Sequence, residues 1–296
     1  MAEDFGVFMK KIVLIAAAVF SCGVIFAFPG AKYKAEKADR KIEEKSKMKT
    51  DIDSELFKTD AEFMQTFRSF SDEEVPSYVN GKDGNPVKVA EKERNLAVLA
   101  ALLGVQGKEE FEAALDKALA GGSVTPVEAK EVVYQATAYL GFGKVRPFLD
   151  AANKVMKGRG IKLPLEGQKT VNDNADGENS RLRAGNQKQI EYFGEGMRES
   201  WLKGDGNGRI VSYWLADNCF GDYYTRGGLT DRQRELITFC FLASQGGCEP
   251  QLGAHAKANI GLGNTKDYLL AVVTQILPYI GYPRSLNAIR IVNEAE

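Results

Sequence analysis

Sliding the chain along itself by 140 residues brings two long stretches into register without a gap, and this internal repeat limits the possible folds more than any other feature. "ERNLAVLAALLGVQGKEEFEAALDKALAGGSVTPVEAKEVVYQATAYLGFG" falls on "QRELITFCFLASQGGCEPQLGAHAKANIGLGNTKDYLLAVVTQILPYIGYP". Arg94 meets Arg234, Gly107 meets Gly247, Lys117 and Ala118 meet Lys257 and Ala258, and "VVYQ" meets "VVTQ". Tyr139 and Gly141 then meet Tyr279 and Gly281. Whatever one copy folds into, the other must fold into as well.

Each copy reads as helices. "LAVLAALL" and "LITFCFLA" are apolar on every side, the pattern of a helix enclosed in a bundle. Thr230 with Gln233 forms a capping-box pattern, and Thr125, Pro126 and Glu128 repeat it further on in the first copy. Gly121, Gly261, Gly141 and Gly281 stand where helices should stop. Neither copy has a run of strand-like alternation, so the expected class is all-α, with tandem duplicated helical bundles.

Around the copies, the organisation expected is a first repeat over 59–160, a linker over 161–188 and a second repeat over 189–296. Residues 166–188 have no aromatic residue and almost no apolar periodicity. Before the first repeat, residues 32–58 carry sixteen charged side chains in twenty-seven, which suits a solvated spacer. Residues 12–28 are seventeen uncharged positions behind Lys10 and Lys11. That layout within residues 1–31 is expected to be an export signal or, being just long enough to span, an N-terminal membrane anchor. Either reading implies an exported or periplasmic protein.

With 39 basic against 40 acidic side chains the net charge is -1, which leaves no electrostatic footprint for nucleic acid. One histidine and scattered cysteines make a structural metal site improbable, and no nucleotide-binding glycine motif occurs, so neither metal nor cofactor is expected.

His255 is the single histidine of the 296 residues. Pro250 suits the first turn of a helix running through Asn259, which places Cys248 at its N-terminal edge. Helical spacing then puts Gln251 or Leu252, His255 and Asn259 on one face. The helix before it opens with Arg234 and Glu235, within reach if the two form a hairpin. Where the second copy has Glu235, Cys248 and His255, the first has Asn95, Lys108 and Leu115, so the shared scaffold does not require those side chains. A satisfied core or surface histidine is the structural alternative.

"FGDYYTRGGLTDRQREL", "GGCEPQLGAHAKANIGLGNT" and "VVTQILPYIGYPRSLNAIR" together resemble the carboxymuconolactone decarboxylase family, which shares its fold with alkylhydroperoxidase D. The resemblance covers roughly 85–155 and 215–296, and implies all-helical units assembling into a homo-oligomer. It implies that His255 carries protons in the decarboxylation of a small carboxylated lactone or keto acid. Glu235 would orient it, Arg234 would offer a cation to the substrate, and Gln251 and Asn259 would line the site. An exported protein fits the intracellular catabolic substrate of that family poorly. The first copy is expected to support packing and the second to hold the pocket.

Two alternatives stay open. The peroxidase branch has two cysteines three residues apart, with a histidine four after the second. Cys248 holds the first place, but Gln251 stands in the second, so the motif cannot close its own disulfide. A helix N-terminus would lower the Cys248 thiol, with Cys219 or Cys240 to resolve a sulfenate. The other alternative is a non-catalytic binding or assembly protein of the cell envelope.

Overall fold

A computed structural model describes residues 54–77, 87–172, 177 and 179–295. The apolar segment 12–28 and most of the charged spacer lie outside them. Among the described residues, besides a single turn at Val75–Ser77, twelve α-helices run in order: α1 (Ser54–Thr59), α2 (Ala61–Ser69), α3 (Glu91–Val105), α4 (Lys108–Ala120), α5 (Pro126–Leu140), α6 (Phe142–Gly158), α7 (Ser180–Phe193), α8 (Gly206–Trp214), α9 (Asp231–Gln245), α10 (Glu249–Gly261), α11 (Lys266–Ile280) and α12 (Tyr282–Glu294). There is no β-strand among the described residues, and none of their helices is long and apolar enough to cross a membrane. The protein is all-α.

The 140-residue register carries into the helices: α3 and α9 have bounds 140 apart, as do α5 and α11. Both capping boxes form. Thr125 accepts from the Glu128 amide and Thr230 from that of Gln233, and each Glu or Gln side chain returns the bond. The likeness extends beyond what the sequence displays, since each copy is preceded by a helix that runs on into π-helical turns, α2 into Phe70–Glu74 and α8 into Leu215–Tyr224.

The two copies share one hydrophobic core, and the described residues fall in one compact unit. At its centre α3 packs against α9; residues 96–104 of one and 234–244 of the other are buried without interruption. The backbones come close at Gly104, where a Cβ atom would stand 2.6 Å from that of Ser244, the residue 140 positions on. Around this pair the contacts are reciprocal, as across a two-fold axis. Arg94 Nε donates to Gln275 Oε1 at 3.0 Å, and Arg234 Nη1 donates to Gln135 Oε1 at 2.8 Å, the same pair with the copies exchanged. A second repeat folded apart from the first is therefore not what the chain builds.

The linker expected over 161–188 is corrected at its end, because residues 180–188 belong to α7. Its polar composition hid it. Gly185 sits against the π-helical turns so closely that a Cβ would lie 1.9 Å from the Ala216 carbonyl oxygen. Buried Asn186 and Gln189 bond to each other, and Asn186 also donates to the Met197 carbonyl oxygen. Such a helix is buried without an apolar stripe.

Gly185→Ala is expected to destabilise the protein by about 1–3 kcal/mol or more, because the obstacle is backbone and not the end of a flexible side chain. Urea unfolding against wild type measures it; an unchanged midpoint would contradict the packing described.

Candidate functional site

α9 and α10 form a hairpin joined at Gly246 and Gly247, whose φ angles of 68° and 72° suit glycine. The hairpin faces Glu235, near the start of α9, with His255, in the middle of α10. His255 Nδ1 lies 2.6 Å from Glu235 Oε1. Glu235 is fully buried and His255 is 8% exposed, so the carboxylate is sealed while the ring keeps an edge toward solvent. Nε2 has no hydrogen-bond partner among the described residues. Asn259, one turn after His255, donates to the carbonyl oxygens of Glu235 and His255 and accepts from Asn264 Nδ2. It clamps the two helices together and spends its amide there, which leaves it no group for a substrate.

The other carboxylate oxygen, Glu235 Oε2, is 3.2 Å from the Tyr224 hydroxyl at the end of the π-helical turns. That hydroxyl also meets Thr238 Oγ1 at 2.8 Å and the Tyr139 hydroxyl at 2.5 Å. Tyr139 belongs to α5, in the first copy. Its ring stands edge-on to the imidazole with centroids 5.5 Å apart, and Phe193 of α7 does the same at 5.3 Å. Phe220 stacks on Tyr224 at 4.4 Å, and Tyr192 packs edge-on against both. The imidazole therefore sits between Tyr139 and Phe193, in an aromatic cluster drawn from three helical segments, α5, α7 and the π-helical turns. Burial, together with the charges of its neighbours, holds the Tyr139 and Tyr224 phenols well above the usual range, so both remain protonated and able to donate. Burial likewise pushes the Cys219 thiol beside them up to about 12.

Two further expectations are corrected, one for a substrate contact and one for the role of the first copy. Arg234 is wholly buried; its guanidinium donates to Gln135, to Glu131 and to the carbonyl oxygens of Arg226 and Gly227. It organises the interior and offers no cation to a ligand. The first copy does more than support packing, since it supplies Tyr139 to the site. Gln251 is exposed on α10, one turn before His255, and remains available.

Cys248 is the N-cap residue of α10, where burial opposes the lowering of the thiol expected from a helix N-terminus. Burial and the adjacent Glu249 raise its pKa, and the sulfur faces the Leu242 carbonyl oxygen and the Gln245 amide. All three cysteines of the described residues are free. No group of three or more His, Cys, Asp or Glu among those residues is placed to hold a metal ion.

Residues 211–294, from within α8 to the end of α12, match the carboxymuconolactone decarboxylase family. The match takes in most of the second copy and none of the first. No curated protein matches the chain. The matched span of the decarboxylase family contains Glu235, Thr238, Tyr224 and His255, whereas Tyr139, Gln135, Tyr192 and Phe193 lie outside it.

Sequence reasoning missed Tyr139, Phe193, Phe220, Tyr224 and Thr238. A signal for Thr238 was present, since the first copy has Val98 at that place and a hydroxyl in a run of apolar positions needs a reason. Tyr139 was masked because Tyr279 matches it and made it look like scaffold.

Arg234→Met is expected to cost about 3–5 kcal/mol, since it leaves buried Glu131 with only Arg226 and strips donors from Gln135 and two carbonyl groups. Chemical denaturation of the purified variant gives the figure. A loss below about 1 kcal/mol would mean that Arg234 is not the interior anchor it looks to be.

Proposed function

We propose that the chain is an enzyme that decarboxylates a small carboxylated lactone or keto acid, with His255 as the proton carrier. The observation that carries this reading is the 2.6 Å contact between Glu235 and His255 Nδ1, with Nε2 left unpaired between aromatic walls. As the substrate loses carbon dioxide, the electron pair of the broken carbon–carbon bond passes into the adjacent conjugated carbonyl group as an enolate. His255, protonated at Nε2, delivers that proton to the carbon and recovers one from solvent. Glu235 stabilises the imidazolium without leaving its place. Phe193 and Tyr139 reduce the water around the leaving carboxylate, whose charge is localised before the step and spread during it.

The internal repeat supports the same reading. The first copy has the same arginine, glutamine and tyrosine, as Arg94, Gln135 and Tyr139 for Arg234, Gln275 and Tyr279, while Asn95, Val98 and Leu115 stand in place of Glu235, Thr238 and His255. What differs between the copies is the group able to move a proton.

Loss of 4-carboxymuconolactone absorbance, followed beside peroxide consumption, tests the reaction. His255→Ala is expected to lower lactone turnover by about 10²–10⁴-fold, with Cys248→Ser close to wild type. Peroxide consumption that disappears with Cys248 and no lactone turnover would transfer the protein to the thiol-dependent branch.

The raised Cys248 pKa gives a separate check. A thiol with a raised pKa stays neutral to higher pH, so its alkylation by iodoacetamide at neutral pH should be slower than that of free cysteine and should climb only above the ordinary thiol range. Fast alkylation at neutral pH, mapped to Cys248 by mass spectrometry, would speak for an activated thiol.

A further inference from the structure

The Tyr224 hydroxyl touches a carboxylate, a threonine and a second tyrosine, and the direction of each bond follows from what its partners are able to give. Arg234 only donates, so its Nη1, 2.8 Å from Gln135, fixes that end of the Gln135 amide as the oxygen. Gln135 Nε2 then donates to the Arg234 carbonyl oxygen at 2.9 Å and to Thr238 Oγ1 at 2.8 Å. Thr238 Oγ1, which accepts from Gln135, has one proton of its own and lies 2.8 Å from the Tyr224 oxygen; the direction of that bond is set by where the single Tyr224 proton goes. An ionised Glu235 has no proton to offer, so its 3.2 Å contact with Tyr224 is a bond only if Tyr224 donates. Tyr139 gives its proton to the Tyr224 oxygen in turn. The Tyr224 oxygen thus accepts twice and donates once, and its hydrogen-bonding capacity is filled.

We propose that this chain is a positioning device for the His255–Glu235 pair, with Tyr224 as its last member. Tyr224 donates permanently to Glu235 Oε2, which leaves Oε1 to accept from His255 Nδ1. Neutral His255 therefore carries its proton on Nδ1 and presents an unprotonated Nε2 to the site. The direction is set at Glu235, and the first copy takes part through Tyr139, which donates to Tyr224, and through Gln135, which occupies a lone pair of Thr238. The device rests on the proposed acid/base function for the use made of Nε2, but not for its geometry.

Because His255 is the sole histidine, nitrogen NMR of the full chain labelled with ¹⁵N-histidine reports this one ring. In the neutral ring of wild type the proton is expected on Nδ1; a proton on Nε2 would overturn the proposal. Glu235→Gln keeps the shape and makes the two ends of the group distinguishable. If Tyr224 is a fixed donor it holds the amide oxygen, the amide nitrogen faces Nδ1, and the ring must move its proton to Nε2. An E235Q protein that keeps the proton on Nδ1 would show that the amide turns freely and that Tyr224 imposes nothing. In Glu235→Gln with Tyr224→Phe the amide is released, and the protonated Nδ1 signal should reappear; a ring still protonated only at Nε2 would remove Tyr224 from the device. Turnover plays no part in these readings. A tautomer that shifts as described in a protein without lactone activity would leave the device standing and remove only the proposed reaction.

Discussion

A helix enclosed on every side has no face to give to water, and the described residues contain two. α3 and α9 are buried along nine and eleven consecutive residues, and neither copy alone encloses its own. They pack on each other, with glycine at Gly104 allowing the backbones to meet, and each is covered in part by a helix of the other copy, α9 by α5 and α3 by α11. Duplication of the unit followed by this exchange explains why one continuous core runs through both copies. It also accounts for the reciprocal arginine–glutamine pairs, which give partners to side chains that such an exchange brings into the interior.

The site is a consequence of the same exchange. Covering α9 with α5 carries Tyr139 and Gln135 up to Glu235, Thr238 and His255, so residues of the first copy stand among those of the second. In the corresponding place of the other half, Tyr279 is kept and packs edge-on against Phe67 of α2, while Leu115 and Asn95 stand where a histidine and a glutamate would be. The scaffold has two equivalent positions for a site. Only one holds an imidazole.

The helices, their caps and the repeat were legible because they depend on local patterning, which a 140-residue shift reads directly. Glu235 and His255 were legible for another reason: the second copy carries a carboxylate and an imidazole at places where the first has Asn95 and Leu115. Arg234 misled, because an arginine beside a candidate catalytic glutamate looks the same in a sequence whether it points to a ligand or into the core. The Arg94 match was the available clue that it is scaffold. α7 was invisible because the middle of its buried face, between Leu182 and Tyr192, is Gly185, Asn186 and Gln189, whose burial depends on hydrogen bonds and close backbone contact. The aromatic walls come from segments distant in sequence, and no periodicity announces that Phe193 and Tyr139 meet at one ring.

Urea unfolding of the full chain, followed on the same samples by far-ultraviolet circular dichroism and by the NMR signal of His255, asks whether the two copies are one body with one site. If the site depends on both copies, the folded His255 resonance and the helical signal should vanish together in one transition. A His255 environment that survives after about half the helix is lost would mean that the second copy folds and holds its site alone, contrary to the shared core described above.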